Sequence, residues 1–259
     1  MKKLLELLKK LLQFILGLFK KKNDPTPEPD DNNGEDSEET NGPTFDLNMY
    51  VGLDVNHRCY KATINNNNKY KMTSHYGIVV HDTGAGSPNK QLKRWYQPDK
   101  SNENYNEIIE AVGYNKNGNG SNNTTGDKIA HAYIGELADG ITVGIGQALP
   151  FEGFPCWSCA SGSKGSFNGD PTACLQVEVA RGKDSDLDYY HKAYYRLIEL
   201  LAYWCHTYNI PVDRVYSHLE AHKLGYASDH GDIDDYLKLD NKTMNDLRKD
   251  LQERLTEIK

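Results

Sequence analysis

The order of apolar patterns between residues 76 and 258 restricts the fold more than any other feature of the sequence. Tyr76-Gly-Ile-Val-Val80 is a short apolar run of the length of a buried strand, and it ends at His81. Lys128 to Gly135 and Ile141 to Gln147 flank Asp139-Gly140, a pair favoured in tight turns, and predict a β-hairpin. Cys174-Leu-Gln-Val-Glu-Val179 alternates, which puts Leu175, Val177 and Val179 on one face of a strand and Gln176 and Glu178 on the other. From Asp188 to Tyr208 the apolar positions 190, 194, 197, 198, 201, 204, 205 and 208 recur at helical spacing, and Pro211 stops that helix. Arg214-Val-Tyr-Ser217 predicts a further short strand leading into His218. A last helix, capped by Thr243, has its buried stripe at Leu247, Leu251, Leu255 and Ile258. Strands with interspersed helices predict an α/β domain in which a central mixed sheet is flanked by helices.

That domain is expected over residues 45–259, behind two segments of different character. In residues 1–22 polar residues recur at helical spacing opposite Leu, Ile and Phe, and seven Lys stand against one Glu. The longest uncharged run, Leu11 to Phe19, is nine residues, well short of the roughly twenty that span a bilayer. A Lys-rich amphipathic helix of this kind is expected to lie on an anionic membrane surface. A helix docked on protein is the other reading. No small-residue cleavage site follows, so a cleavable signal peptide is not expected. Asn23 to Asp46 holds nine acidic residues, four prolines and no Lys or Arg, so residues 23–44 are expected to form a disordered acidic linker.

A formal net charge of −7 argues against nucleic acid as a partner, because phosphate binding needs concentrated Lys and Arg. The five cysteines, Cys59, Cys156, Cys159, Cys174 and Cys205, are odd in number and lack framework spacing, which speaks against a disulfide scaffold. Cys156-Trp-Ser-Cys159 has the spacing of half a zinc ribbon, but no second pair follows, so part-buried thiols are expected.

Polar residues gather where strands end, which is where open α/β sheets bind ligands. His81 and His218 each follow a short strand, His230-Gly-Asp232 lies 14 residues beyond, and Glu178 sits on the polar face of a third strand. Two His and one carboxylate form a usual catalytic zinc set that leaves a fourth position for water. Spacing alone leaves the alternative open, a histidine satisfied structurally at a strand end.

At these residues the chain resembles the type 2 N-acetylmuramoyl-L-alanine amidases, the zinc-dependent family shared by phage endolysins and peptidoglycan recognition proteins. The resemblance is carried by Gly77-Ile-Val-Val-His-Asp-Thr-Gly84 with Trp95-Tyr-Gln-Pro-Asp99, by Ala130-His-Ala-Tyr-Ile-Gly-Glu-Leu-Ala-Asp-Gly140, by Cys159-Ala-Ser-Gly-Ser-Lys-Gly-Ser166, and by the run from Ser217 to Asp232. It implies a hydrolase, of phage or prophage endolysin type, that acts at the bacterial cell wall on peptidoglycan and binds Zn2+ through His81, His218 and Asp232. It further implies that Glu178 moves the proton of the attacking water and that His230 stabilises the oxyanion. Trp157 is expected to line the substrate cleft, and His131 either to line it too or to be a structural core histidine. His222, placed in a loop insertion, and His230 are the competitors for the third ligand position. Ser158 stands after Trp157 where the family often has His, and Ala130 where some members have a catalytic Tyr. The alternative within the same fold is a peptidoglycan-binding recognition module without activity; a zinc peptidase is disfavoured because no His-Glu-x-x-His helix exists.

Overall fold

Ile78, Val79 and Val80 have no exposed surface, as an apolar run covered on both faces requires, and their strand lies inside the sheet. The computed structural model describes residues 42–65, 71–86, 88–114 and 128–258. Its strands are β1 (Met49–Val51), β2 (Gly77–Asp82), β3 (Ala132–Glu136), β4 (Val143–Gln147), β5 (Cys174–Val179) and β6 (Val215–Ser217). They form one six-stranded sheet in the order β1-β4-β3-β5-β2-β6. Only β3 and β4 pair antiparallel, so the sheet is mixed, as the sequence predicts. Their connection is the expected turn: Asp139 accepts from the backbone N–H groups of Ile141 and Thr142, and Gly140 takes a left-handed φ of 68°.

The helices are α1 (Arg58–Asn65), α2 (Tyr105–Val112), α3 (Leu187–Tyr208), α4 (His218–Leu224), α5 (Asp234–Leu237) and α6 (Met244–Glu257). Helix α3 is opened by Asp186, whose side chain accepts from Tyr189 N–H, and ends at left-handed Asn209. Thr243 and Asp246 form a capping box on α6, with Leu247 and Leu251 buried, Leu255 half-buried and Ile258 just past the last turn. Both long helices cover one face of the sheet, where Leu197, Leu201 and Trp204 pack with Ile78, Val80, Leu175, Val177 and Val179. Full burial of each such side chain contributes about 1.5–3 kcal/mol.

The odd-numbered positions of β5 therefore belong to the helical core, and its even-numbered positions to the other face. There Cys174 joins Val79, Cys159, Phe167, Ala221 and Ala227 in a small cluster that seats the segments 159–168 and 218–228 on the sheet. Gly162 allows their close approach, since a Cβ there would lie 2.5 Å from the carbonyl oxygen of Gly225. All five cysteines are buried free thiols.

Residues 1–41 lie outside the described residues, and with them the amphipathic helix and nearly all of the acidic linker expected there. No helix among the described residues is long and apolar enough to cross a membrane. The chain is pinned where it enters the domain: the Thr44 carbonyl accepts from Arg254 at 2.9 Å, and Asp46 N–H donates to Glu199 at 2.8 Å. Glu199 is itself buried against the Arg254 guanidinium.

Candidate metal centre and cleft

Three parallel strands deliver the polar residues to one edge of the sheet. In register, His81 lies beside Glu178, and Val80 lies beside Ser217, the last residue of β6. Ser217 then turns the chain into α4 through a capping box: its hydroxyl accepts from Glu220 N–H, and the Glu220 carboxylate accepts from Ser217 N–H. His218 is thereby the first helical residue and stands next to His81. The loop after α4 returns to the same edge with Asp232.

The donor atoms converge. His81 Nδ1 and His218 Nδ1 are 3.0 Å apart, and Asp232 Oδ2 lies 3.3 Å from the first and 3.1 Å from the second. Each ring is held from behind. His81 Nε2 donates to Gln176 Oε1 at 3.1 Å, and His218 Nε2 lies 3.3 Å from the Ser228 hydroxyl. The Gln176 amide cannot turn over, because its Nε2 donates to the Phe167 carbonyl and to Asn168 Oδ1, and Asn168 Oδ1 also accepts from Cys159 N–H. A proton on His81 Nε2 leaves a lone pair on Nδ1. Burial pushes the His81 pKa down, with His218 adding to this and Asp232 and Gln176 opposing it. Burial pulls Asp232 upward, yet the hydrogen bond from His218 and the adjoining His81 ring hold it well below the ordinary carboxylate range.

The His81 Nδ1 lone pair and the Asp232 oxygen, 3.3 Å apart, repel unless a proton or a metal cation lies between them. Tetrahedral zinc with N and O donors at roughly 2.0–2.2 Å separates those donors by about 3.3–3.5 Å, so the residues fit that ion. Among the described residues, His81, His218 and Asp232 are the group of His, Cys, Asp or Glu side chains disposed to hold a metal.

All three line a cleft of about 510 Å³, with Trp95, Lys128, Tyr133, Trp157, Glu178 and His230 also on its walls. Burial raises the Glu178 pKa well above its usual value; negative Asp232 and Asp82 add to this, and Lys128 opposes it. Glu178 thus shares the cleft with the three donors, on the strand beside His81.

No protein-family model matches the chain, and no curated protein matches it in sequence. The chain resembles amidase and endolysin catalytic domains in structure. The hydrolase AmiA of Staphylococcus aureus, solved with its ligand, is 16% identical over 83% of this chain and 84% of its own, with a TM-score of 0.47. The PlyG catalytic domain is 18% identical over 81% of this chain and 96% of its own, at 0.47. A mutant endolysin from Bacillus subtilis is 16% identical over 79% and 99%, at 0.44.

Of the residues singled out in the sequence, His81, His218, Asp232, Glu178, His230 and Trp157 meet in this cleft. The His230 ring is exposed, with its centroid 4.9 Å from that of His218. His131 takes the structural place rather than the cleft. It is fully buried, its Nε2 donates to the Phe154 carbonyl at 2.8 Å, and its Nδ1 accepts from Gln176 N–H at 3.0 Å. It is absent from the cleft wall and braces the chain beneath it. His222 departs from expectation: it belongs to α4 rather than a loop, because the Ser217 cap starts a helix there, and its Nδ1 bonds the Ala227 carbonyl away from the metal donors. Gln176, Tyr133 and Asp82 were not singled out. Gln176 shares the polar face of β5 with Glu178, and that alternation was signal enough to flag it; Tyr133 looks like any aromatic strand residue.

Proposed function

We propose that the chain is a zinc-dependent N-acetylmuramoyl-L-alanine amidase of endolysin type, which hydrolyses the amide between muramic acid and L-alanine in peptidoglycan. The observation that supports it most is the convergence of His81, His218 and Asp232 at 3.0–3.3 Å, with the Glu178 carboxyl on the adjacent strand in one open cleft. The four sequence blocks supply the substrate class. Zinc held by the three donors supplies Lewis acidity, polarising a carbonyl and making water more acidic.

The chain's own groups do the rest. Glu178, when ionised, takes a proton from the attacking water and returns it to the leaving amine of alanine, a task suited to a carboxylate whose proton affinity burial raises. His230, at the open rim beside His218, donates a hydrogen bond to the oxygen that gains charge. Trp95 and Trp157 form apolar walls against which the lactyl and peptide portions lie. The test is metal content of the purified full chain together with release of new amino termini from cell wall. Stoichiometric zinc with alanine termini supports the reading. Wall binding without release would make the chain a recognition module.

A further inference from the structure

Asp232 is followed by the most strained residue of the site. Ile233 has φ 61° and ψ −38°, a region that β-branched residues avoid. Asp234 N–H donates to the Asp232 carbonyl at 2.8 Å, which makes Ile233 the centre of a γ-turn of the rare form. Such a conformation persists only where its surroundings over-determine it. Two features do so here. The Ile233 side chain is buried in the helical core, 1% exposed. Its N–H donates to Asp82 Oδ2 at 2.5 Å.

Asp82 is well placed for this. It is 3% exposed, its other oxygen accepts from Gly84 N–H at 2.7 Å, and the Arg181 guanidinium stands 3.7 Å from that same oxygen. It also follows His81 directly in β2. One buried carboxylate therefore ties the backbone beside one metal donor to the backbone beside another, across 151 residues of sequence. Asp82 itself is not among the three converging donors.

We propose that Asp82 is a positioning residue of the metal centre: by accepting the Ile233 N–H it holds the strained γ-turn that aims the Asp232 carboxylate at His81 and His218. Without that acceptor Ile233 relaxes to negative φ, and the Asp232 side chain swings away from the two rings. The inference rests on the reading of His81, His218 and Asp232 as a metal site, and not on the choice of substrate.

The test uses the full chain and zinc alone, with affinity measured by competition against a chromophoric chelator and geometry by the visible spectrum of the cobalt(II) form. Asp82→Ala is expected to weaken zinc ten- to a hundredfold, the range for residues that orient metal ligands, and to alter the cobalt spectrum. Adding Ile233→Gly, which adopts positive φ without strain, should recover at least threefold of that loss. Zinc affinity of Asp82→Ala within threefold of the parent, or a double variant binding no more tightly than Asp82→Ala, overturns the proposal. A parent that binds no zinc overturns the metal site with it. Should Asp82→Ala fail to fold, Ile233→Gly and Ile233→Ala decide, since both remove the buried side chain. A γ-turn under strain makes the glycine variant melt higher than the alanine variant, and the reverse order refutes it.

Discussion

Replacing His131 by Gln should flatten the acid side of the protein's stability curve. The imidazole is buried with Nδ1 accepting from Gln176 N–H, so a second proton would turn that contact into a clash of donors. Its pKa falls from 6.5 to about 4, chiefly through burial. The folded state thus binds its proton later than the unfolded chain does. Stability is complete above about pH 6.5, is lost as pH falls toward about 4, and levels off below that. At about 1.36 kcal/mol per pH unit, the loss between pH 7.5 and 4.5 is roughly 2.5 kcal/mol. Urea unfolding in a chelator, which keeps metal release out of the measurement, should give the parent that much more acid destabilisation than His131→Gln. Equal slopes would mean that His131 is solvated, as a residue of the cleft wall would be, and would refute the placement of its ring in the core.

Further outcomes concern the cleft and the leading segment. His81→Ala, His218→Ala and Asp232→Ala should each lose zinc and wall hydrolysis together; retention of stoichiometric zinc by Asp232→Ala, measured by atomic absorption, would reassign the third ligand. Glu178→Ala should keep zinc and fold while losing at least about a hundredfold in rate, the usual size of an acid–base contribution, and near-normal turnover would remove it from the mechanism. His230→Ala should also keep zinc and lose on the order of a hundred- to a thousandfold in rate, as one oxyanion donor does. Removing residues 1–22, with their seven lysines, should abolish co-sedimentation with anionic vesicles at low salt and leave activity on isolated wall unchanged.

Much of this site can be read in the sequence because strands impose a period of two and end abruptly. The alternation of Cys174 to Val179 assigns Glu178 to the face away from the helices, and β5 carries it there. His81 ends the apolar run of β2 and His218 follows the short β6, so their places at the sheet edge follow once β2 and β6 pair. Long helical periods served equally well: the stripe from Tyr190 to Tyr208 and the Thr243 cap match α3 and α6. What the sequence hides is contact between distant segments. Nothing local to Ala130-His-Ala132 says that the His131 ring turns inward to bond Phe154 and Gln176. Likewise, Ile233 reads as an ordinary apolar residue, and its backbone conformation becomes evident only when Asp82 is brought beside it. The seven-residue α4 was missed because a capping box, rather than a periodic stripe, begins it.

The central claim is that a specific bond is cut, and mass spectrometry of the products from digested peptidoglycan reads that bond directly. Incubation of purified wall with the zinc-loaded chain should release stem peptides that begin with a free alanine amino group, and leave glycan strands that keep their lactyl carboxylates. Shortened glycans, peptides cut within the stem, or intact wall with the protein bound to it would each contradict the account.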